Sequence, residues 1–169
     1  MSVDCIIEDK RWAELGVLPL AMNAYAHTLG ALGMSPEAFE IGLLACDDEK
    51  IAALNDEFRS KGTATNVLSW PSEERGAEND GDVPYPPVME LRGETFLGDI
   101  AIAYETCERE AKEAKKTMSD HVSHLVVHGI LHLFGYDHVR DLDATLMEKT
   151  ETQILAKMGI KDPYALNVI

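Results

Sequence analysis

With 169 residues, 46% of them hydrophobic, the chain has the material for a single domain with a well-buried core. A formal net charge of −15 excludes a protein that binds nucleic acid through its whole surface, because phosphate neutralisation needs clustered Lys and Arg; any such contact must be a local basic groove. No apolar run approaches the length of a membrane span, and the first residues lack the basic-then-apolar pattern of a secretory signal, so a cytoplasmic chain with no membrane partner is expected.

In chain order, residues 3–8 read as a short strand and residues 17–32 as a helix with Gly33 past its end. Residues 40–45 are apolar and predict a second strand. Asp47 then opens an acidic turn, after which Ile51, Leu54 and Phe58 fall at helical spacing, so a short helix carries Arg59 at its C-terminal end. Residues 65–70 form a strand candidate stopped by Pro71. From 72 to 92 the composition shifts: Pro84, Pro86, Pro87, glycines and a cluster of acids leave little to pack, which predicts a mobile loop. Residues 98–103 return as a strand, and helices follow over 105–116, about 120–134 and 142–158, the last ending at Gly159. Cys5, Cys46 and Cys107 are widely spaced among apolar neighbours, which suits reduced buried thiols. Strands early and three helices late predict one α+β domain over 1–169, a small mixed sheet with surrounding helices.

Five of the six histidines, His121, His124, His128, His132 and His138, crowd into one stretch. A lone histidine on an apolar helix face is more often a hydrogen-bonded core residue than a ligand. Here, at about 100° per residue, His121, His124, His128 and His132 form one stripe, while Val122, Leu125, Val126, Ile130, Leu131, Leu133 and Phe134 cover most of the remaining circumference. Such a helix is buried, and neighbouring buried imidazoles need partners that a divalent cation supplies most simply. His128 and His132, four apart, stack on one face; Gly135 offers the left-handed residue that turns the chain back and brings His138 to the same point. Three neutral imidazoles with an open fourth position are the ligand set of a catalytic zinc, one ion per chain, although nickel, copper and iron suit the same donors. The spacing is that of the metzincin proteases, which place Glu directly after the first histidine as general base. This chain has Gly129 there, which moves no proton, so a zincin-like metal-binding helix is expected and metzincin peptide hydrolysis is not. His121, in the first turn near Ser119 and Asp120, is expected at the surface. His124 is expected behind the ligands or on the substrate side.

The run His128-Gly-Ile-Leu-His132-Leu-Phe-Gly135-Tyr-Asp-His138, with Leu54-Asn-Asp-Glu-Phe-Arg59-Ser-Lys61, Thr65-Asn-Val-Leu-Ser-Trp-Pro71, Leu97-Gly-Asp-Ile100 and Asp162-Pro-Tyr164, closely resembles the YbeY family of bacterial rRNA-maturation endoribonucleases. The likeness runs from about Leu54 to Tyr164, with Trp70 where the family usually carries Phe. It implies a metal-dependent, single-strand-specific endoribonuclease acting in ribosome assembly, rRNA quality control and 16S rRNA 3′-end maturation, with zinc on His128, His132 and His138, a functional Arg59, and the ribosomal particle or its proteins as partners. Read from the residues alone, Arg59 beside Lys61 is as well a surface charge answering a helix dipole. Functionally, its guanidinium can grip a phosphate through paired hydrogen bonds and stabilise charge on pentacoordinate phosphorus, with Lys61 binding substrate in the same groove. Asn66, Ser69 and Asp99 either shape that groove or cap strands. Either a zinc-activated water or the RNA 2′-hydroxyl can attack phosphorus, and His124 is the candidate proton acceptor for catalysis. The alternatives are a zincin-type peptidase with its base elsewhere and a non-catalytic ribosome-assembly factor with structural zinc.

Overall fold

A computed structural model describes residues 2–165. Their four strands are β1 (Val3–Ile7), β2 (Phe39–Cys46), β3 (Val67–Pro71) and β4 (Thr95–Ala103). The helices are α1 (Lys10–Leu15), α2 (Val17–Ala31), α3 (Asp48–Arg59), α4 (Tyr104–Glu113), α5 (Met118–Leu133) and α6 (Asp141–Lys157). The sheet order is β1-β2-β4-β3, parallel across β1, β2 and β4 and antiparallel between β4 and β3. That is the small mixed sheet with surrounding helices expected of an α+β chain.

Strand alternation gives the sheet two unequal faces. Val3, Ile41, Leu43, Leu97, Ile100 and Ile102 belong to the main core with α2 and α5, where α5 presents Val122, Val126, Val127, Ile130 and Leu131. Leu44, Cys46, Leu68, Ala101 and Ala103 form a smaller core on the other face with Ile51 and Leu54 of α3. Helix starts follow local chemistry: the Asp47 carboxylate accepts the Lys50 N–H at 2.8 Å at the head of α3, and Thr117 accepts Asp120 N–H at 3.1 Å at the head of α5. At the other end of α5, Gly135 at φ 101° lets Gly135 N–H reach His132 O at 3.0 Å and Tyr136 N–H reach Leu131 O at 3.0 Å.

Several expectations need correction. Residues 10–15 are helical, capped by Asp9 and Gly16; in this short polar segment only Trp12 is buried, too little to show a period. β4 begins at Thr95 because Gly98 does not start the strand: it sits inside it, at φ 140°, where a Cβ would lie 2.2 Å from Trp70 O. Cys46 and Cys107 are buried thiols raised by burial, Cys46 to about 12, whereas Cys5 is only half-buried. Residues 72–92 hold no helix or strand, yet they do find packing partners. Arg75, 4% exposed, donates to Leu133 O at 2.7 Å and to Ser72 Oγ at 3.0 Å, while Arg140 donates to Ala77 O and Glu78 O at 2.7 and 2.8 Å. A buried guanidinium supplied from the loop itself is what hydrophobic patterning could not register.

Candidate metal centre

The apolar circumference of α5 seats it on the sheet and α2, and its histidine stripe turns to the remaining side, where α6 and the returning loop approach. His128 and His132 point their Nε2 atoms at one another at 3.0 Å, and the ring centroids of His128, His132 and His138 lie 4.6, 5.4 and 5.1 Å apart in pairs. The three side chains each offer a ring nitrogen within 4.8 Å of the others, so the cluster can hold a metal ion. His128 and His132 are half-buried and His138 is exposed, leaving the open side of the cluster toward solvent.

The outer nitrogens decide what the inner ones can do. His132 Nδ1 lies 2.9 Å from the Tyr136 carbonyl, and His128 Nδ1 contacts the Glu151 carboxylate. Both partners are acceptors, so both Nδ1 atoms carry the proton and both Nε2 atoms present lone pairs. Two lone pairs facing at 3.0 Å repel unless a proton or a cation lies between them. Burial, reinforced by His128 and His138, pushes His132 down to about 4, so this imidazole stays neutral and its Nε2 lone pair is free to bind a cation. The donor set therefore fits a metal ion held by three imidazoles.

Behind the ligands lies Glu151 of α6, fully buried at 0% exposure. Its second oxygen receives the Tyr164 hydroxyl and faces His124 Nε2 at 3.3 Å. Burial raises this carboxyl, but the hydrogen bonds it accepts from His124, His128 and the Tyr164 hydroxyl prevail and hold it at about 2. Burial and the adjacent carboxylate push Tyr164 well above the ordinary phenol range. Glu151 was not anticipated from the sequence. Its signal was a carboxylate on the buried face of α6, in line with Met147, Ile154 and Leu155.

The remaining candidates separate clearly. His121 is not a surface residue: it is 8% exposed, with Nε2 2.9 Å from Glu110 Oε1, because α4 packs against the start of α5 and covers it. His124 turns Nε2 to Glu151, and its Nδ1 is buried without a hydrogen-bond partner, so it stands behind the ligands. Arg59, exposed at the end of α3, donates to Ser69 O at 2.8 Å, and Ser69 Oγ in turn approaches Gly129 O at 3.5 Å, one residue after His128. Lys61 is exposed in the loop that follows. Asn66 caps β3 through Val67 N–H at 2.7 Å and donates to Glu110 at 2.9 Å. Asp99 leans over Gly42 of β2 on the sheet face away from α5, outside the cluster. At Gly129 a Cβ would meet Ile100 Cδ1 at 3.0 Å and Ser69 Oγ at 3.2 Å, so this side of α5 is closed against the sheet.

The chain resembles known proteins in sequence and in fold. A family model described as Endoribonuclease YbeY matches residues 8–159. Proteins called endoribonuclease YbeY from Ruegeria pomeroyi and Cereibacter sphaeroides are each 55% identical to this chain, over 98% of it and 99% of the relative in the first case and 96% and 98% in the second. A relative of the same name from Azorhizobium caulinodans is 43% identical, with 98% of each chain covered. The solution structure of TM1509 from Thermotoga maritima matches with a TM-score of 0.54 at 18% identity, covering 97% of this chain and 99% of that one, a likeness of fold.

Proposed function

This chain belongs to the YbeY family of endoribonucleases, and from that premise we propose that it is a zinc-dependent, single-strand-specific endoribonuclease of rRNA processing and ribosome assembly, acting in 16S 3′-end maturation and rRNA quality control. The observation that carries the reading is the pair of imidazoles whose lone pairs face at 3.0 Å beside His138 at the open edge of the cluster. The relatives' name supports RNA as the substrate, and the ribosomal particle as partner follows from rRNA as its target.

His128, His132 and His138 would hold the ion, which when bound supplies Lewis acidity toward the scissile phosphodiester. Arg59 grips a phosphate: one amino group bonds Ser69 O beside β3, and the exposed guanidinium has further N–H groups to pair with phosphate oxygens. Lys61 binds a neighbouring phosphate as a point charge. His124, with both nitrogens turned inward, supports His128 through Glu151 and is not placed to take a substrate proton. The space around Gly129 counts against a peptidase of metzincin type, because a glutamate there has no room for its Cβ without displacing Ile100 or Ser69.

The test is direct. Metal-loaded protein is expected to cut labelled single-stranded RNA, to stop on chelation, to resume on adding zinc, and to leave casein intact. Casein cleavage would favour the peptidase, and tight RNA binding without cleavage in the zinc-loaded protein would favour an assembly factor.

A further inference from the structure

We propose that Glu151 and Tyr164 are positioning residues of the metal centre: the buried carboxylate accepts a hydrogen bond from His128 Nδ1–H and so aims Nε2 at the ion, while the segment after α6 delivers the Tyr164 hydroxyl that holds the carboxylate in place. This rests on the reading that His128, His132 and His138 hold the metal.

A carboxylate at 0% exposure is costly unless its lone pairs are used, and α6 packing gives no reason for one, since Met147, Ile154 and Leu155 fill the same face with apolar groups. Among the described residues, the hydrogen bonds of the Glu151 carboxylate go to α5 and to the segment after α6. One oxygen faces His128 Nδ1; the other receives the Tyr164 hydroxyl and faces His124 Nε2. An ionised carboxylate only accepts, so each of these groups donates, and His128 is left with its lone pair on Nε2, facing His132. Such carboxylate–histidine–metal arrangements fix tautomer and ring orientation together.

The segment after α6 reaches this point. Asp162 Oδ1 accepts the Tyr164 N–H at 2.8 Å and the Thr152 hydroxyl at 3.3 Å, a turn that fastens the segment to α6 one residue from Glu151. The Tyr164 ring then stands edge-on to His124, 5.8 Å between centroids at 88°, so the residue is 41% exposed while its hydroxyl reaches inside. The segment after α6 thereby closes the back of the centre.

The full chain with Glu151→Gln and with Tyr164→Phe tests this by zinc competition against a chelator, by the visible spectrum of cobalt-substituted protein, and by nitrogen-15 imidazole spectra of the metal-free protein. Glu151→Gln is expected to bind zinc about 10- to 100-fold more weakly, still at one ion per chain, and to mix the two His128 tautomers, since an amide can present N–H as well as C=O. Tyr164→Phe, which removes one hydroxyl from a partly exposed side chain, is expected to weaken zinc several-fold and to shift the cobalt bands; it carries the test should Glu151→Gln not fold. Wild-type affinity with an unchanged His128 tautomer overturns the proposal. So does a fall from two ions per chain to one in Glu151→Gln, which would make Glu151 itself a ligand of a second ion. His128→Ala checks the underlying reading separately: full zinc in that variant removes the site, whereas zinc loss there with wild-type affinity in Glu151→Gln rejects the positioning role alone.

Discussion

His132 ties the protonation state of the centre to pH. Its folded value of about 4 lies below the ordinary histidine value of 6.5, so the unfolded chain binds more protons between these limits and stability falls as pH drops through that window. Glu151, held near 2 against an ordinary 4.5, adds a further loss between about pH 4.5 and 2. Thermal melts of the metal-free protein should therefore be flat on the neutral side and decline from about pH 6.5 downward; melts independent of pH over this range would contradict both assignments. Arg59 belongs to the same scale. Arg59→Ala removes a hydrogen bond to Ser69 O and should cost about 1 kcal/mol of stability while leaving metal content intact. Cleavage of RNA should fall about 10²- to 10³-fold, with little recovery in Arg59→Lys, because an ammonium does not make the paired contact. Wild-type cleavage by Arg59→Ala would return Arg59 to the status of a surface charge. His121→Ala should keep its metal and still lose about 1 to 3 kcal/mol, since Glu110 forfeits a buried partner.

At the level of elements, α5 is held from two directions. Its apolar faces lie on the sheet and α2, and its histidine side is flanked by α4 and α6, so shifts of the helix move His128 and His132 directly. Gly129 marks the closest approach to the sheet, with Cβ space of 3.0 Å toward Ile100 and 3.2 Å toward Ser69. Gly129→Ala should accordingly cost about 1 to 3 kcal/mol by overpacking, despite the better helix propensity of alanine. Measured denaturant midpoints decide the sign, and a stabilised variant would mean that Ile100 and Ser69 yield more readily than their packing suggests. α6 contributes through one residue on its buried face, and the α3–β3 pair contributes through Arg59 on Ser69.

For the whole molecule, charge sets the terms of any RNA contact. At −15 the body repels phosphate, and Arg59 and Lys61 are exposed beside the strand that packs on the metal helix. Few phosphates can then be neutralised, so log affinity against log salt should fall with a shallow slope, about −0.7 per contact on a single strand. Salt-insensitive binding would reject the groove, and a steep slope would require a basic surface broader than these two side chains. Among the described residues no helix is long and apolar enough to cross a membrane.

The sequence by itself determined whatever depends on near neighbours along the chain. The four-residue spacing of His128 and His132, the glycine that turns the chain back to His138, the Asp47 cap and the alternation of β2 are local regularities, and local regularities survive in a one-dimensional pattern. The α+β class followed from the order of those elements. Only the tertiary structure decided that His121 is buried against Glu110, that Arg59 bonds Ser69 O, that Arg75 and Arg140 fasten the first part of the 72–92 segment, and that Glu151 and Tyr164 stand behind His128. Each of these joins residues on different elements, and which side chains meet is fixed by how helices pack on one another and on the sheet, a geometry that no short-range periodicity encodes.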